Sequence, residues 1–164
     1  MGLRAALGLL ALFLCAWQPG IAMALTIRGA SPDLPLVAIV CVGLLLGPED
    51  GAVTGLLCGV LQAGHTGASG VGALIVSRIG AGLAAGYIGE RVFGANLIVP
   101  GVCAIGATFV AGAIYFLIAP YPDLIYWVKM TLGRALYNGA VALPTYRVTA
   151  YLVRRLSSES APAF

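Results

Sequence analysis

The chain has 164 residues, of which 60% are hydrophobic and only 9% are charged, and its formal net charge is +3. Its mean hydropathy is +1.00. Soluble domains carry about 25% charged residues, so this composition excludes a water-soluble globular domain and predicts a single membrane domain over residues 1–164.

Six apolar runs follow one another along the chain, and a helix needs about 20 apolar residues to cross a bilayer. We predict an all-α integral membrane protein, a bundle of about six transmembrane helices. The predicted spans are residues 5–25, 34–47, 51–64, 69–89, 95–119 and 124–153. The second and third spans are short, so a tilted or partly re-entrant pair is the alternative to two full crossings.

The first run also has features of a signal peptide, namely Arg4 before an apolar stretch and the sequence Ala22-Met-Ala24 near its end. The apolar stretch is long for a signal peptide. We therefore expect this segment to be retained as the first span.

Basic residues are unequally divided between the two sides of this six-span arrangement. One side carries Arg4, Arg91, Arg154 and Arg155, with Arg147 near the same edge, whereas the other carries Arg28, with Lys129 near its edge. Since basic loops stay in the cytoplasm, we predict a multi-pass membrane protein with both termini cytoplasmic. Tyr121, Tyr126 and Trp127 fall at the opposite face, as an interfacial aromatic belt would.

Two arginines interrupt the apolar spans, Arg78 in the fourth and Arg134 in the outer half of the sixth. An arginine at the bilayer centre costs about 2.5 kcal/mol or more, so each is expected to face protein or water and to find a partner. We expect a polar cluster in the outer half of the bundle, formed by Asp33, Gln62, His65, Arg78, Arg134 and Asn138. It has three interpretations: an internal network that locks helices together, a ligand pocket open to the outside, or a contact surface for another protein's helix.

Small residues repeat every four positions on three spans, which favours close helix packing. These residues are Gly51, Gly55 and Gly59 on the third span, Gly82 and Gly86 on the fourth, and Ala135 and Gly139 on the sixth. We expect them to pack within the chain, and docking of a partner's transmembrane helix is the alternative.

The sequence lacks the side-chain combinations on which catalysis or metal binding usually depends. The four cysteines, Cys15, Cys41, Cys58 and Cys103, lie singly in apolar runs and are expected to be buried packing residues. The spans hold no carboxylate pair, no Ser/His dyad and no cluster of metal ligands. We therefore expect a protein that is not an enzyme and that carries no cofactor.

Four segments, in a fixed order, resemble the bacterial rod shape-determining protein family MreD. They are "SPDLPLVAIV" at 31–40, "GPEDGAVTGLLCGVLQ" at 47–62, "GASGVGALIVSRIGAGLAAGYIGERVF" at 67–93 and "LYNGAVALPTYRVTAYLVRRL" at 136–156. The resemblance covers about residues 5 to 156. Asp33, Gln62, Tyr137 and Asn138 are the positions that match the family pattern.

The resemblance implies a non-enzymatic membrane scaffold of the cell-elongation complex. Members of this family bind the single-span protein MreC. With it they help connect the MreB filament to synthases of the RodA and class B penicillin-binding types, and none of these contacts involves nucleic acid. The chain departs from the family at Ala63, where relatives often carry an acidic residue, and at His65 and Thr66, which puts any docking role of that acid in doubt here.

The same resemblance implies a fold similar to the substrate-binding S components of energy-coupling-factor transporters, and this defines the alternative function. An S component is a six-helix membrane protein with a vitamin pocket that opens outward. The predicted polar cluster lies where such a pocket would be. Against this alternative, residues 5–16 do not show cleanly the alanine-xxx-alanine pattern with which S components dock on their transporter.

Overall fold

The computed structural model describes residues 3–26, 30–66, 70–91, 98–120 and 123–159, and within these ranges it contains six α-helices and no strand. The helices are α1 (Leu3–Ala24), α2 (Leu34–Leu46), α3 (Pro48–Thr66), α4 (Val71–Arg91), α5 (Ile98–Ile118) and α6 (Leu124–Glu159). The all-α prediction is confirmed. Each helix overlaps one predicted span, although residue 69 and residues 95–97, predicted to begin the fourth and fifth spans, lie outside the described residues.

The shortest helix, α2, lies at the centre of the bundle. It contacts each of the other five helices. Nine of its 13 residues are buried, among them Val37, Val40 and Cys41, which are fully inaccessible. A helix that is apolar on all sides is stable only when it is surrounded, so the pattern "LPLVAIVCVGLLL" suits this central position. Its length is about 20 Å at 1.5 Å per residue, and its neighbours, not lipid, cover it.

Small residues bring α3 and α4 into backbone contact. A Cβ atom on Gly51 would lie 2.5 Å from the carbonyl oxygen of Gly82, and one on Gly59 would lie 2.9 Å from the Cα of Ile75. Gly55 lies against the backbone of Arg78, so it too has no room for a side chain. The glycines of this face therefore pack inside the chain.

The remaining small residues lie at two further contacts. Gly86 packs against Pro48 at the start of α3. On α6, Ala135 is fully buried, and a Cβ on Gly139 would lie 2.8 Å from a side-chain carbon of Ile105 on α5. The small-residue positions of α6 thus serve its contact with the rest of the bundle.

The longest helix, α6, has 36 residues and runs through Pro144 without interruption. At 1.5 Å per residue it is about 54 Å long, whereas the hydrocarbon core of a bilayer is about 30 Å thick. Arg154 and Arg155 lie exposed near its C-terminal end.

By length and composition, α4 and α5 are sufficient to cross a membrane, and Ala6–Gly20 and α2 are shorter apolar helical stretches. Core helices of soluble proteins also meet this criterion. The four cysteines are unpaired and buried, as expected of packing residues.

Gly55→Ala is expected to destabilise the protein by about 1–3 kcal/mol, because the new methyl group meets the backbone of α4 and the two helices must separate. Gly106→Ala is the matched control: it is the same substitution in the middle of α5, and a Cβ there meets nothing within 4 Å. It should be neutral, or stabilising by up to about 1 kcal/mol through helix propensity. Thermal unfolding of both variants in detergent measures the difference. Equal stabilities of the two variants would contradict the close α3–α4 packing.

Candidate functional site

The N-terminus of α2 lies at a buried position, and each backbone donor of its first turn has an identified partner. The N–H of Leu34 donates to Oε1 of Gln18 on α1 at 3.1 Å. Pro35 has no N–H, and the N–H of Leu36 donates to Oδ1 of Asp33 at 3.1 Å. The next donor, Val37, bonds the backbone carbonyl of Asp33 at 3.1 Å. Because buried helix ends without partners are costly, Asp33 and Gln18 are what allow α2 to begin inside the bundle.

The second carboxylate oxygen of Asp33 pairs with Arg78 on α4. Oδ2 accepts from an Nη of Arg78 at 2.5 Å, and the Nε of the same guanidinium donates to Oε1 of Gln62 on α3 at 2.8 Å. The side chains of Arg78 and Asp33 are only 8% and 18% exposed. The carboxylate also lies at the N-terminus of α2, the positive end of the helix dipole. Arg78 therefore has both a counter-charge and a hydrogen-bond acceptor, as a buried guanidinium requires.

The fully buried side chain of Asn138 connects Asp33 to the last two helices. Its Oδ1 accepts from the backbone N–H of Asp33 at 2.8 Å, and its Nδ2 donates to Oγ1 of Thr108 on α5 at 3.0 Å. The Thr108 hydroxyl donates in turn to the carbonyl of Ala104 at 2.7 Å. Both ends of the Asn138 amide are therefore used, which fixes its orientation.

Together these groups form a polar junction to which every helix contributes one side chain, Asp33 doing so as the N-cap of α2. Its members are Gln18, Asp33, Gln62, Arg78, Thr108 and Asn138. Among the described residues, no buried side-chain nitrogen or oxygen lacks a hydrogen-bond partner. A fully satisfied network of this kind stabilises one arrangement of the helices over alternatives.

A cavity of about 380 Å³ lies directly beside the junction. Asp33, Gln62, Arg78, Thr108 and Asn138 form part of its lining. The remaining walls come from α2, α4, α5, α6 and the turn before α4, and they include apolar, hydroxyl and aromatic side chains and one arginine. These further lining residues are Leu36, Gly70, Leu74, Ser77, Ala111, Gly112, Tyr115, Tyr126, Trp127, Met130, Thr131 and Arg134.

The structure brings together four of the six residues that the sequence placed in a polar cluster: Asp33, Gln62, Arg78 and Asn138. Arg134 is exposed and lines the cavity, in agreement with the expectation that it would face protein or water. The expected partner is not found, because no ion pair joins Arg134 to an acidic side chain among the described residues. The physical reason is that the nearby carboxylate of Asp33 already pairs with Arg78. The sixth residue, His65, belongs to the last turn of α3, but its side chain lies outside the described part of the structure.

Two members of the junction, Gln18 and Thr108, are absent from the predicted polar cluster. Gln18 precedes Pro19 near the end of α1, and it also donates from Nε2 to the carbonyl of Pro32 at 2.6 Å. A glutamine inside an apolar run was a detectable signal. Thr108 gave none, because a threonine in an apolar helix commonly bonds its own backbone, as this one does to Ala104.

Comparisons with protein-family models, with curated proteins and with solved structures find no match. Within the described residues, no group of three or more His, Cys, Asp or Glu side chains is placed to hold a metal ion. The chemistry that the junction and cavity offer is hydrogen bonding and charge pairing.

Arg78→Gln or Asp33→Asn alone should cost about 3 kcal/mol of stability, the lower end for breaking a buried pair, since Asp33 keeps some exposure. Asn retains an oxygen that can cap Leu36, so the Asp33 variant removes mainly the charge. The double variant should be less destabilised than the sum of the two, with a coupling of about 1–3 kcal/mol. Unfolding by SDS in mixed micelles, followed by circular dichroism, gives the three values. Strictly additive costs would show that the pair does not interact.

Proposed function

We propose that this chain is a six-span protein of the bacterial inner membrane. We further propose that it is a non-enzymatic scaffold subunit of the cell-elongation complex, of the MreD type. In this role it binds an MreC-like single-span protein. Through that protein it helps to link the MreB filament to RodA-type and class B penicillin-binding synthases and so maintains cell shape.

The distribution of exposed apolar side chains supports the membrane location. Each of the five outer helices exposes large apolar residues, whereas no residue of the central α2 is exposed. Ile98, Leu117 and Leu136, for example, are 71%, 81% and 61% exposed. Soluble monomers rarely expose apolar surface so extensively, and lipid is the solvent that suits it.

One observation carries the scaffold proposal: three of the four residues that match the family pattern, Asp33, Gln62 and Asn138, belong to the polar junction. These three residues are far apart in the sequence but meet in the junction. The positions that match the family pattern are therefore ones that fix the helix arrangement. The fourth, Tyr137, is half-buried beside Asn138. A scaffold acts by holding a surface in one shape, and a junction that ties all six helices supports that role.

The cavity is the observation that favours a second candidate, an S component of an energy-coupling-factor vitamin transporter. Its volume of about 380 Å³ is within the range of small-molecule sites. In the proposed orientation the cavity lies at the outer end of the bundle, where an S component receives its vitamin. Purification from native membranes separates the candidates, because the scaffold should recover an MreC-like protein and the S component a transporter core driven by ATP.

Reporter fusions test the proposed topology. A reporter after Ser31 should read outside, and reporters after Glu90 and after Ser158 should read inside, because arginines concentrate at the termini and beyond α4. The ion pair between Arg4 and Asp50 shows that α1 and α3 begin at the same end of the bundle. This agrees with the proposed topology, in which both helices start on the cytoplasmic side. An outside signal from the fusion after Ser158 would reject the six-span arrangement.

Asn138→Leu is expected to reduce recovery of the MreC-like partner without abolishing membrane insertion. It removes two interhelical bonds, each contributing about 0.6–2 kcal/mol, and so loosens α5 and α6 against α2. Leu136→Ala is the control, because that side chain is exposed on the same helix.

The readout is co-purification, combined with cell shape in a complemented deletion strain. Rounded cells at normal protein levels would support the scaffold. Rod-shaped cells that have lost uptake of a vitamin would overturn it and favour the second candidate.

A further inference from the structure

We propose that the cavity beside the polar junction binds a small organic anion, a carboxylate or a phosphate ester carried on an apolar group the size of one or two rings. This goes beyond the scaffold role and does not depend on it. The proposal rests on three features of the cavity: its surplus positive charge, its aromatic wall and its polar floor.

Among the described residues, the cavity lining carries one carboxylate and two guanidinium groups, which gives these residues a formal charge of plus one. The carboxylate of Asp33 already pairs with Arg78, and its Oδ2 lies 2.5 Å from Nη2 of that arginine. Within the described part of the chain, no ion pair joins Arg134 to an acidic residue, and its exposed side chain reaches the cavity from α6. An arginine in this position offers a planar pair of donors to a carboxylate or phosphate, and the low-dielectric walls strengthen the attraction.

Of the described residues, three aromatic ones line the same cavity, Tyr115 on α5 and Tyr126 and Trp127 on α6. The ring of Trp127 is held by Phe116, with ring centroids 5.0 Å apart. Tyr115 lies close to Gly70, where φ is +92° and where a Cβ would fall 2.6 Å from the tyrosine oxygen. Glycine at that position therefore allows the phenol to lie at the start of α4. Aromatic faces held in place this way suit a flat apolar group.

The floor of the cavity is the junction itself, with the buried hydroxyl of Thr131 close by. A junction that only holds helices together needs no cavity beside it, because the residues around an empty space lose packing contacts. A polar cavity of this size holds either ordered water or a ligand. The net charge and the aromatic wall together favour an anionic ligand over water alone.

Tryptophan fluorescence provides the test, since the chain has two tryptophans and only Trp127 lines the cavity. The Trp17→Phe variant leaves Trp127 as the single reporter. It is placed in nanodiscs of phosphatidylcholine and titrated with 4-iodobenzoate, an anionic ring whose iodine quenches indole. The neutral 4-iodobenzamide is the matched probe. Quenching should saturate with the acid. Equal quenching should need a concentration of the amide that is at least about tenfold higher, and a tenfold difference in affinity corresponds to about 1.4 kcal/mol.

In the Trp17→Phe background, Arg134→Gln should weaken the binding of 4-iodobenzoate about tenfold. Arg154→Gln, which changes an exposed arginine at the other end of the same helix, should leave it unchanged. Both side chains are exposed, so neither variant should impair folding. Quenching that rises linearly and equally for acid and amide would overturn the proposal, and so would saturable quenching that Arg134→Gln leaves unchanged.

Competition then identifies the source of the anion. Displacement by glycerol 3-phosphate indicates a free phosphate ester, and displacement only by phosphatidylglycerol in the disc indicates a lipid headgroup. Displacement by neither, with the preference for acid retained, assigns the site to carboxylates. The outcome is independent of partner recovery: absence of binding leaves the scaffold proposal standing, and loss of the MreC-like partner leaves the anion site standing.

Discussion

Asp33 is the residue on which the rest of the bundle depends. The central helix α2 begins among other helices, where its first backbone donors cannot be left unpaired. This residue makes three contacts: one carboxylate oxygen caps α2, the other pairs with Arg78, and the backbone N–H donates to Asn138. Removing any of these contacts leaves a buried polar group without its partner. The position of α2 and the pairing of Arg78 are therefore one constraint.

Two kinds of contact hold the helices together, close packing at glycines and the hydrogen bonds and ion pair of the polar junction. Along the α3–α4 contact, glycines such as Gly51 and Gly82 allow backbones to meet, so dispersion forces act at short range over several turns. At one end of the bundle, the junction supplies directional bonds that reach all six helices. Packing of small residues alone tolerates sliding of one helix along another. The junction does not, because a shift would separate Asn138 from Asp33 and Gln62 from Arg78. This combination suits a protein whose proposed role is to present a fixed surface to partners.

The sequence predicted the helices well, because long apolar runs separated by charged or proline-containing turns leave few alternatives. It also indicated that Asp33, Gln62, Arg78 and Asn138 would meet, since an arginine inside an apolar span needs a partner and few acids were available. It did not indicate that Asp33 pairs with Arg78 and not with Arg134, because the sequence does not tell which of two arginines lies beside a single carboxylate. Thr108 and Gln18 were not found, since their roles depend on helix rotation and on the path of the chain into α2. Five residues of the predicted polar cluster line the cavity, and a pocket was one of the three interpretations of that cluster. The volume of the cavity is a product of packing, which the sequence does not give.

Solid-state NMR of the protein in lipid bilayers can detect the pairing of Asp33 with Arg78 directly. With arginine labelled in its guanidinium nitrogens and aspartate in its carboxylate carbon, direct contact between Arg78 and Asp33 should give a strong nitrogen–carbon dipolar correlation. The contact between Arg4 and Asp50 should give a second signal, which serves as an internal reference. Arg78→Gln and Asp33→Asn should each remove the first signal and leave the second. A spectrum that lacks the first signal, or in which both variants retain it, would show that Asp33 and Arg78 are not paired.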